Sequence, residues 1–316
     1  MNGQHNGTCF ANSGLQNNNK MYYLYKIASV VFPRLPRRFV FILADVAGIA
    51  AFFIATKARK QATINMIHVL GKEVVETSAG RRRLRRNVIK MFQNNVHNYM
   101  NLFTIPSIPP EKILNSMVIE GAEHLEDALA KGKGLIMFTA HLGPFDFLAQ
   151  WLSLKGFKTT IPVERLKDQR MLDLITKLRN SQGMEYIPLG GSGPLRSIIQ
   201  ALRNNQIVLF TTDRAVEGKS VVQPFFGEPA RLPIGPVALS QRTGAPLVGG
   251  FGSYVSSKLM VGEIIPLSLE LTEEEQANTD KLMCGVIEMM ERFIKAHPEQ
   301  WVVFSPVWIS DFAKTS

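Results

Sequence analysis

The stretch Gly134–Asp146, Gly-Leu-Ile-Met-Phe-Thr-Ala-His-Leu-Gly-Pro-Phe-Asp, constrains this chain more than any other. Leu135–Ala140 is an apolar run with no polar period, which predicts a short buried strand. His141 stands where that run stops, and Gly143 and Pro144 break the pattern. Proline suits the first turn of a helix, where its missing N–H is not needed. Phe145, Leu148, Ala149 and Leu152 then recur at helical spacing until Gly156. The stretch reads as a strand, a tight turn carrying a histidine, and a helix with Asp146 in its first turn. Open α/β sheets place their sites at such strand ends.

On a continuous helix, neighbours are three or four residues apart, so residues five apart lie on different faces. His141 and Asp146 can therefore meet only if the turn folds the ring back over the helix start. In that arrangement Asp146 accepts a hydrogen bond from one ring nitrogen and leaves the other as an oriented general base. The bland reading is a turn histidine beside a carboxylate that favours the helix dipole. Spacing alone leaves both open.

A chain of 316 residues holds one large α/β domain or two small ones, and 46% apolar residues are ample for a core. The net charge of +10 favours anionic partners: membrane phosphates, CoA phosphates, an acidic carrier protein or nucleic acid. The two cysteines, Cys9 and Cys284, lie far apart without metal spacing, so neither a disulfide framework nor a metal site is expected.

The segment 1–20, rich in Asn and Gly, reads as a disordered tail, and it lacks the pattern of a signal peptide. Residues 21–60 are different. An apolar, aromatic run from Tyr22 is followed by the basic break Pro33-Arg-Leu-Pro-Arg-Arg38. Phe39–Thr56 is then 18 almost wholly apolar residues, interrupted by Asp45 and closed by Lys57, Arg59 and Lys60. That length is near the lower limit for crossing a bilayer, about 17–25 residues. The expectation is membrane-associated helices, spanning or lying in the interface; a buried core helix is the alternative. Residues 61–116 read as a helical lead-in. Its densest charge run, Gly80-Arg-Arg-Arg-Leu-Arg-Arg86, suits anionic headgroups, while a solvated helix face is the plain account. No aromatic–basic interleaving of an RNA-binding sheet accompanies it, so nucleic acid is not an expected partner.

From 117 to 316 strands alternate with helices. Short strands are expected near Met117, Leu135, Thr159, Tyr186, Ile207, Pro246, Lys258 and Trp301, with helices between them. A long helix is expected from Thr272, with Glu275 completing a capping box. This order implies an α/β domain with a mainly parallel central sheet flanked by helices.

Other candidates fall at the same kind of position. Glu164 and Arg165 follow one strand, and Arg165 could hold a phosphate or a developing oxyanion. Asp213 and Arg214 end another. Gly190–Pro194 opens a helix, with a plain turn or a phosphate contact as alternatives. The Pro- and Gly-rich stretch 223–236 reads as a rigid irregular loop that could border an acyl channel, with Arg231 facing phosphate or solvent.

In this order the motifs resemble the lipid A biosynthesis acyltransferase family, lauroyl/myristoyl transferases and phosphatidylinositol mannoside acyltransferases, from about Tyr22 to Trp308. They are the basic break at 33–38, the box His141-Leu-Gly-Pro-Phe-Asp146, Glu164-Arg165, Asp213-Arg214, Pro224-Phe-Phe-Gly227, Leu232-Pro-Ile-Gly235, Thr243-Gly-Ala-Pro246 and His297-Pro-Glu-Gln-Trp301. Asp213-Arg214 is closer to the mannoside acyltransferase branch, and Glu217 is the candidate for that branch's further catalytic glutamate.

The resemblance implies a glycerolipid acyltransferase-like fold and an O-acyltransferase at the cytoplasmic face of the cell membrane. His141 and Asp146 would be its catalytic dyad. Glu164, Arg165, Asp213, Arg214 and Arg231 would bind substrate. No cofactor or metal is implied beyond the thioester co-substrate, on CoA or acyl carrier protein. The acceptor would be a glycolipid or lysolipid, and anionic membrane lipids would be partners. A non-catalytic lipid- or acyl-binding protein of the same fold is the alternative.

Overall fold

A computed structural model describes residues 11–164, 166, 168–189, 193–215, 219–256, 259–269, 274 and 278–312, with side chains except for 11–20 and 269. Arg165, Glu217, Cys9 and the expected capping pair Thr272 and Glu275 lie outside the described residues.

Four helices come first: α1 (Ala11–Val31), α2 (Arg37–Ile54), α3 (Thr56–Leu70) and α4 (Ser78–Thr104). Helix α1 already begins at Ala11, so 11–20, assigned by composition to a tail, is helical. Thr77 caps α4, its hydroxyl accepting from the Gly80 N–H. One face of α2, Val40, Ala44, Gly48 and Phe52, recurs every four residues and packs on α4. Gly48 permits this approach: a Cβ there would lie 2.5 Å from the Gln93 Cα. Asn65 of α3 donates to the carbonyls of Val303 and Ser305, and Asn94 of α4 to Glu299, tying these helices to the C-terminal segment.

After α5 (Pro110–Asn115), strands and helices alternate: β1 (Met117–Glu120), α6 (Glu123–Leu129), β2 (Leu135–Thr139), α7 (Phe145–Leu154), β3 (Thr159–Val163), α8 (Gln169–Arg179), β4 (Glu185–Pro188), α9 (Gly193–Arg203) and β5 (Ile207–Thr211). Next come β6 (Ser220–Phe225), β7 (Glu228–Pro233), α10 (Gly235–Thr243), β8 (Leu247–Tyr254), β9 (Met260–Pro266), α11 (Thr279–Ala296) and α12 (Ile309–Phe312). Helix α11 is capped by Asn278, which accepts from the N–H groups of Asp280 and Lys281.

The main sheet has seven strands in the order β1-β9-β8-β2-β5-β3-β4. Strands β8, β2, β5, β3 and β4 run parallel, as the alternation of elements predicts. Strand β9 reverses, because the short connection after Tyr254 folds it back on β8 as a hairpin, and β1 pairs parallel to it. Side chains alternate across the buried strands. Leu135 and Met137 enter a core with Phe147, Leu148 and Trp151 of α7. Ile136 and Phe138 enter the opposite core with Ile198, Leu202, Met290 and Trp301. With both faces covered, β2 has no polar face to show in its sequence.

Two expectations are corrected. The 223–236 stretch is not an irregular loop: β6 and β7 form a regular antiparallel hairpin. Its two turn residues, Phe226 and Gly227, have φ of 52° and 76°, the turn whose twist matches a hairpin. Phenylalanine adopts this backbone only when its surroundings hold it; here its N–H donates to Glu291 at 2.5 Å. Nor is Trp301–Phe304 a strand. Trp301 makes a single antiparallel bridge to Leu142, and the segment runs across the turn that follows β2 rather than along a neighbouring strand.

Candidate active site

Strands β2 and β5 are paired in register from Leu135–Ile207 to Thr139–Thr211, a constant offset of 72 residues. Two residues beyond, the same offset sets His141 beside Asp213. The Thr212 N–H and hydroxyl both reach the Thr139 carbonyl, carrying the pairing past the strand ends. The turn after β2 is held from the other side: Gly143 donates to the Gln300 carbonyl and Val302 to that of His141. Gly143 has φ +55°, and a Cβ there would meet the Gly252 carbonyl oxygen at 2.3 Å. Only glycine fits.

The Asp213 carboxylate is fully buried and accepts three bonds. The backbone N–H of His141 donates to Oδ2 at 2.9 Å, and the Trp301 indole N–H to the same oxygen at 2.7 Å. His141 Nδ1 lies 2.8 Å from Oδ1. Burial opposes the charge of Asp213, but the neighbouring imidazole and these donors outweigh it and hold the carboxyl at about 2. A permanent carboxylate at Nδ1 requires a proton there, which leaves Nε2 with its lone pair. Among the described residues Nε2 has no hydrogen-bond partner, and the side chain is 23% exposed. The Phe145 ring meets the imidazole edge-on, with centroids 5.8 Å apart. An imidazole fixed at Nδ1 and open at Nε2 can take a proton from a hydroxyl.

Asp146 is not the partner of His141. Helix α7 turns it away, toward α8 and β4, where it is buried against Arg179. Arg179 Nη2 donates to Oδ2 at 3.2 Å, and Nε lies 2.8 Å from Oδ1, off the line of a hydrogen bond. The Tyr186 hydroxyl approaches Oδ1 at 3.5 Å. Burial works against the Arg179 charge, yet Asp146 and Tyr186 more than compensate, raising its pKa above the ordinary arginine value. The two readings of the His-X4-Asp spacing thus divide: the histidine is oriented, but by a carboxylate 72 residues away, and Asp146 anchors the helix that follows.

Glu164 and Arg214 form an ion pair at 3.3 Å, linking the ends of β3 and β5 on the rim that carries His141. Arg231 is exposed on β7, and no contact joins it to that rim among the described residues. No group of three or more His, Cys, Asp or Glu side chains there could hold a metal ion. Sequence reasoning placed Asp213 at the rim without its bond to His141, and it missed Trp301 and Arg179. The shared Thr two residues before His141 and Asp213 was the available signal for the first; nothing local marks the others.

The sequence matches the family of bacterial lipid A biosynthesis acyltransferases over residues 10–310. It is 26% identical over 313 residues to a phosphatidylinositol mannoside acyltransferase of Mycobacterium tuberculosis, covering 90% of this chain and 94% of the relative. With the enzyme of that name from Mycolicibacterium smegmatis it shares 24% identity over 292 residues, covering 84% of this chain and 92% of the relative. The chain belongs to the bacterial lipid A biosynthesis acyltransferase family, and it is an acyltransferase.

Proposed function

We propose that the protein transfers a fatty acyl group from a thioester, on CoA or acyl carrier protein, to a hydroxyl of a glycolipid or lysolipid, with His141 as base and Asp213 as the carboxylate that orients it. The observation that carries this reading is the Asp213 carboxylate on Nδ1 with Nε2 left open. The acceptor hydroxyl gives its proton to Nε2 as its oxygen attacks the thioester carbonyl. The imidazolium charge that forms is offset by Asp213. Collapse of the tetrahedral adduct breaks the C–S bond, and the thiolate takes the proton from Nε2. An ester and a free thiol result. Phosphatidylinositol mannoside, the lipid in the relatives' name, is the acceptor class to test first. Arg165, outside the described residues, and Arg214 at the rim are the cations suited to the oxyanion.

The test is release of free thiol from an acyl thioester in the presence of lipid acceptor. His141→Ala is expected to slow release by ~10²–10⁴-fold with the melting temperature retained. Full activity in that variant would refute the assignment.

A membrane-surface location at the cytoplasmic face suits a lipid acceptor and a water-borne thioester. Among the described residues no single helix is long and apolar enough to cross a membrane, and α2 and α3 meet at 97°. The outward face of α2 is nevertheless apolar: Phe39 is 62% exposed and Val46 61%, with Ile42, Leu43, Ile49 and Phe53 beside them. Tyr23, Leu24, Ile27 and Val30 of α1 are exposed as well. On α4, Arg82, Arg85, Arg86 and Lys90 line a groove of about 340 Å³ that ends at Gln93, which packs on α2. An apolar face edged by cations is the pattern of a protein resting in the interface, each cation adding about 1 kcal/mol at an anionic surface. The triple variant Phe39→Ser/Ile42→Ser/Val46→Ser is expected to bind anionic vesicles at least ~10-fold more weakly in co-sedimentation.

A further inference from the structure

Within the motif His297-Pro-Glu-Gln-Trp301, the mechanism above gives the Gln300 side chain no task. That side chain belongs to a buried polar residue, 5% exposed, and both ends of its amide are bonded. The Tyr254 N–H donates to Oε1 at 2.7 Å, and Nε2 donates to the Tyr254 carbonyl at 3.1 Å. Sheet geometry explains why an amide is needed there. Strand β2 pairs with β8 from Leu247 to Gly249, whereas β8 runs on to Tyr254. Strand β9, on the other side, does not serve Tyr254 either. In an antiparallel ladder, opposite residues alternate between bonding each other and bonding outward. Tyr254 faces Met260, whose N–H goes to the Ser116 carbonyl, so this pair bonds outward. Tyr254 therefore turns its N–H and carbonyl toward the gap left where β2 stops, and the Gln300 amide takes the place of a strand. The ring end of Tyr254 is fixed as well: its hydroxyl accepts from Asn101 and donates to Asn98 of α4, each at 2.7 Å.

The segment held in this way is the one that grips His141 and Asp213. Three successive residues do so. The Gln300 carbonyl accepts from Gly143, the Trp301 indole N–H donates to Asp213, and the Val302 N–H donates to the His141 carbonyl. Trp301 is wholly buried against the Phe225 and Trp308 rings, so its indole has little room to shift independently of its backbone. Asp213 Oδ2 is met from two directions, by the His141 N–H from the turn and by the indole from this segment. Donors on two sides stop the carboxylate from rotating away from Nδ1. We propose that Gln300 is a positioning residue for acyl transfer: its amide, paired with Tyr254 as a strand would be, sets the Trp301 indole on Asp213 and so keeps that carboxylate on His141. This rests on the acyl-transfer reading for its effect on turnover, and on the two amide bonds for the placement of Trp301.

Full-chain variants are compared by thiol release and by the indole N–H resonances of the three tryptophans, that of Trp301 being assigned by its loss in Trp301→Phe. Gln300→Met keeps the length of the side chain and loses both bonds. It should lower kcat ~10–100-fold with KM for the thioester within about twofold, the pattern of a misplaced group rather than of lost binding. Trp301→Phe keeps a buried ring, loses the N–H, and should lower kcat by a similar factor. Because Gln300 acts through Trp301, the double variant should lose no more than the larger single loss. Losses that multiply would place the effect of Gln300 elsewhere and overturn the proposal. So would an unchanged kcat in folded Gln300→Met. The Trp301 resonance should move upfield in Gln300→Met, while that of Trp308, bonded to the Phe225 carbonyl, stays in place. A Trp301 resonance that stays while activity falls also overturns it. Where Gln300→Met does not fold, Gln300→Glu decides. Its ionised carboxylate has no proton to donate to the Tyr254 carbonyl, and its neutral form has one. Its kcat relative to wild type should therefore rise as pH is lowered from about 8 to about 5; a flat ratio overturns the proposal. Full turnover in His141→Ala, beside a Trp301 resonance that shifts as expected, would sink the catalytic reading and leave the placement of Trp301 by Gln300 standing.

Discussion

Asp213→Asn is expected to lower acyl transfer by ~10²–10⁴-fold with little change in structure. Asparagine has the shape of aspartate, so its carbonyl can still accept from the Trp301 indole. Its amide group, however, would present N–H to Nδ1 of His141, which must then accept. The ring proton moves to Nε2, and the only open nitrogen is no longer a base. The same variant carries a stability signature. The folded Asp213 pKa of about 2 lies below the unfolded carboxyl value of roughly 3.9, so its contribution is complete above the unfolded value and is lost as pH falls toward the folded one. The melting-temperature difference between wild type and Asp213→Asn should therefore be flat above pH ~4 and shrink below it.

Arg179→Met is expected to cost about 3–5 kcal/mol of stability in urea unfolding. It removes the cation from beside Asp146, a carboxylate buried in the first turn of α7 whose further side-chain donor among the described residues is the Tyr186 hydroxyl at 3.5 Å. A methionine fills the volume, so the loss reports the stranded charge rather than a cavity. Asp146→Leu combined with Arg179→Met should recover most of it, because removing both members of a buried pair is far less costly than removing one. A loss in the double variant equal to that in Arg179→Met would show that packing, not charge, holds α7 to α8.

These two residues show where sequence reading reached its limit. The β2 strand and its turn were legible because hydrophobic run, glycine and proline are local signals. The parallel core followed from alternation, since each crossover helix returns the chain to the same sheet edge. The partner of His141 was not legible, because it is set by the register between β2 and β5, and register is a property of two strands together. Asp146, five residues away, was the nearest carboxylate in sequence. The turn at Gly143 separates the two: the ring is bonded to Asp213 beyond β5, and the helix start carries Asp146 to Arg179, so sequence proximity misled. The hairpin at Ser220–Pro233 was obscured for a different reason. Its prolines and glycines look like loop punctuation, whereas Pro224 and Pro229 sit opposite each other one place in from the pair that flanks the turn, a position where no N–H is needed between the two strands.

The most direct measurement is the nitrogen-15 spectrum of the His141 ring, assigned by comparison with His141→Gln. The expected spectrum of the neutral ring has a proton on Nδ1 and a bare, imine-type Nε2 in the wild type, with the two exchanging roles in Asp213→Asn. A wild-type ring protonated on Nε2, or one indifferent to the Asp213 substitution, would contradict it.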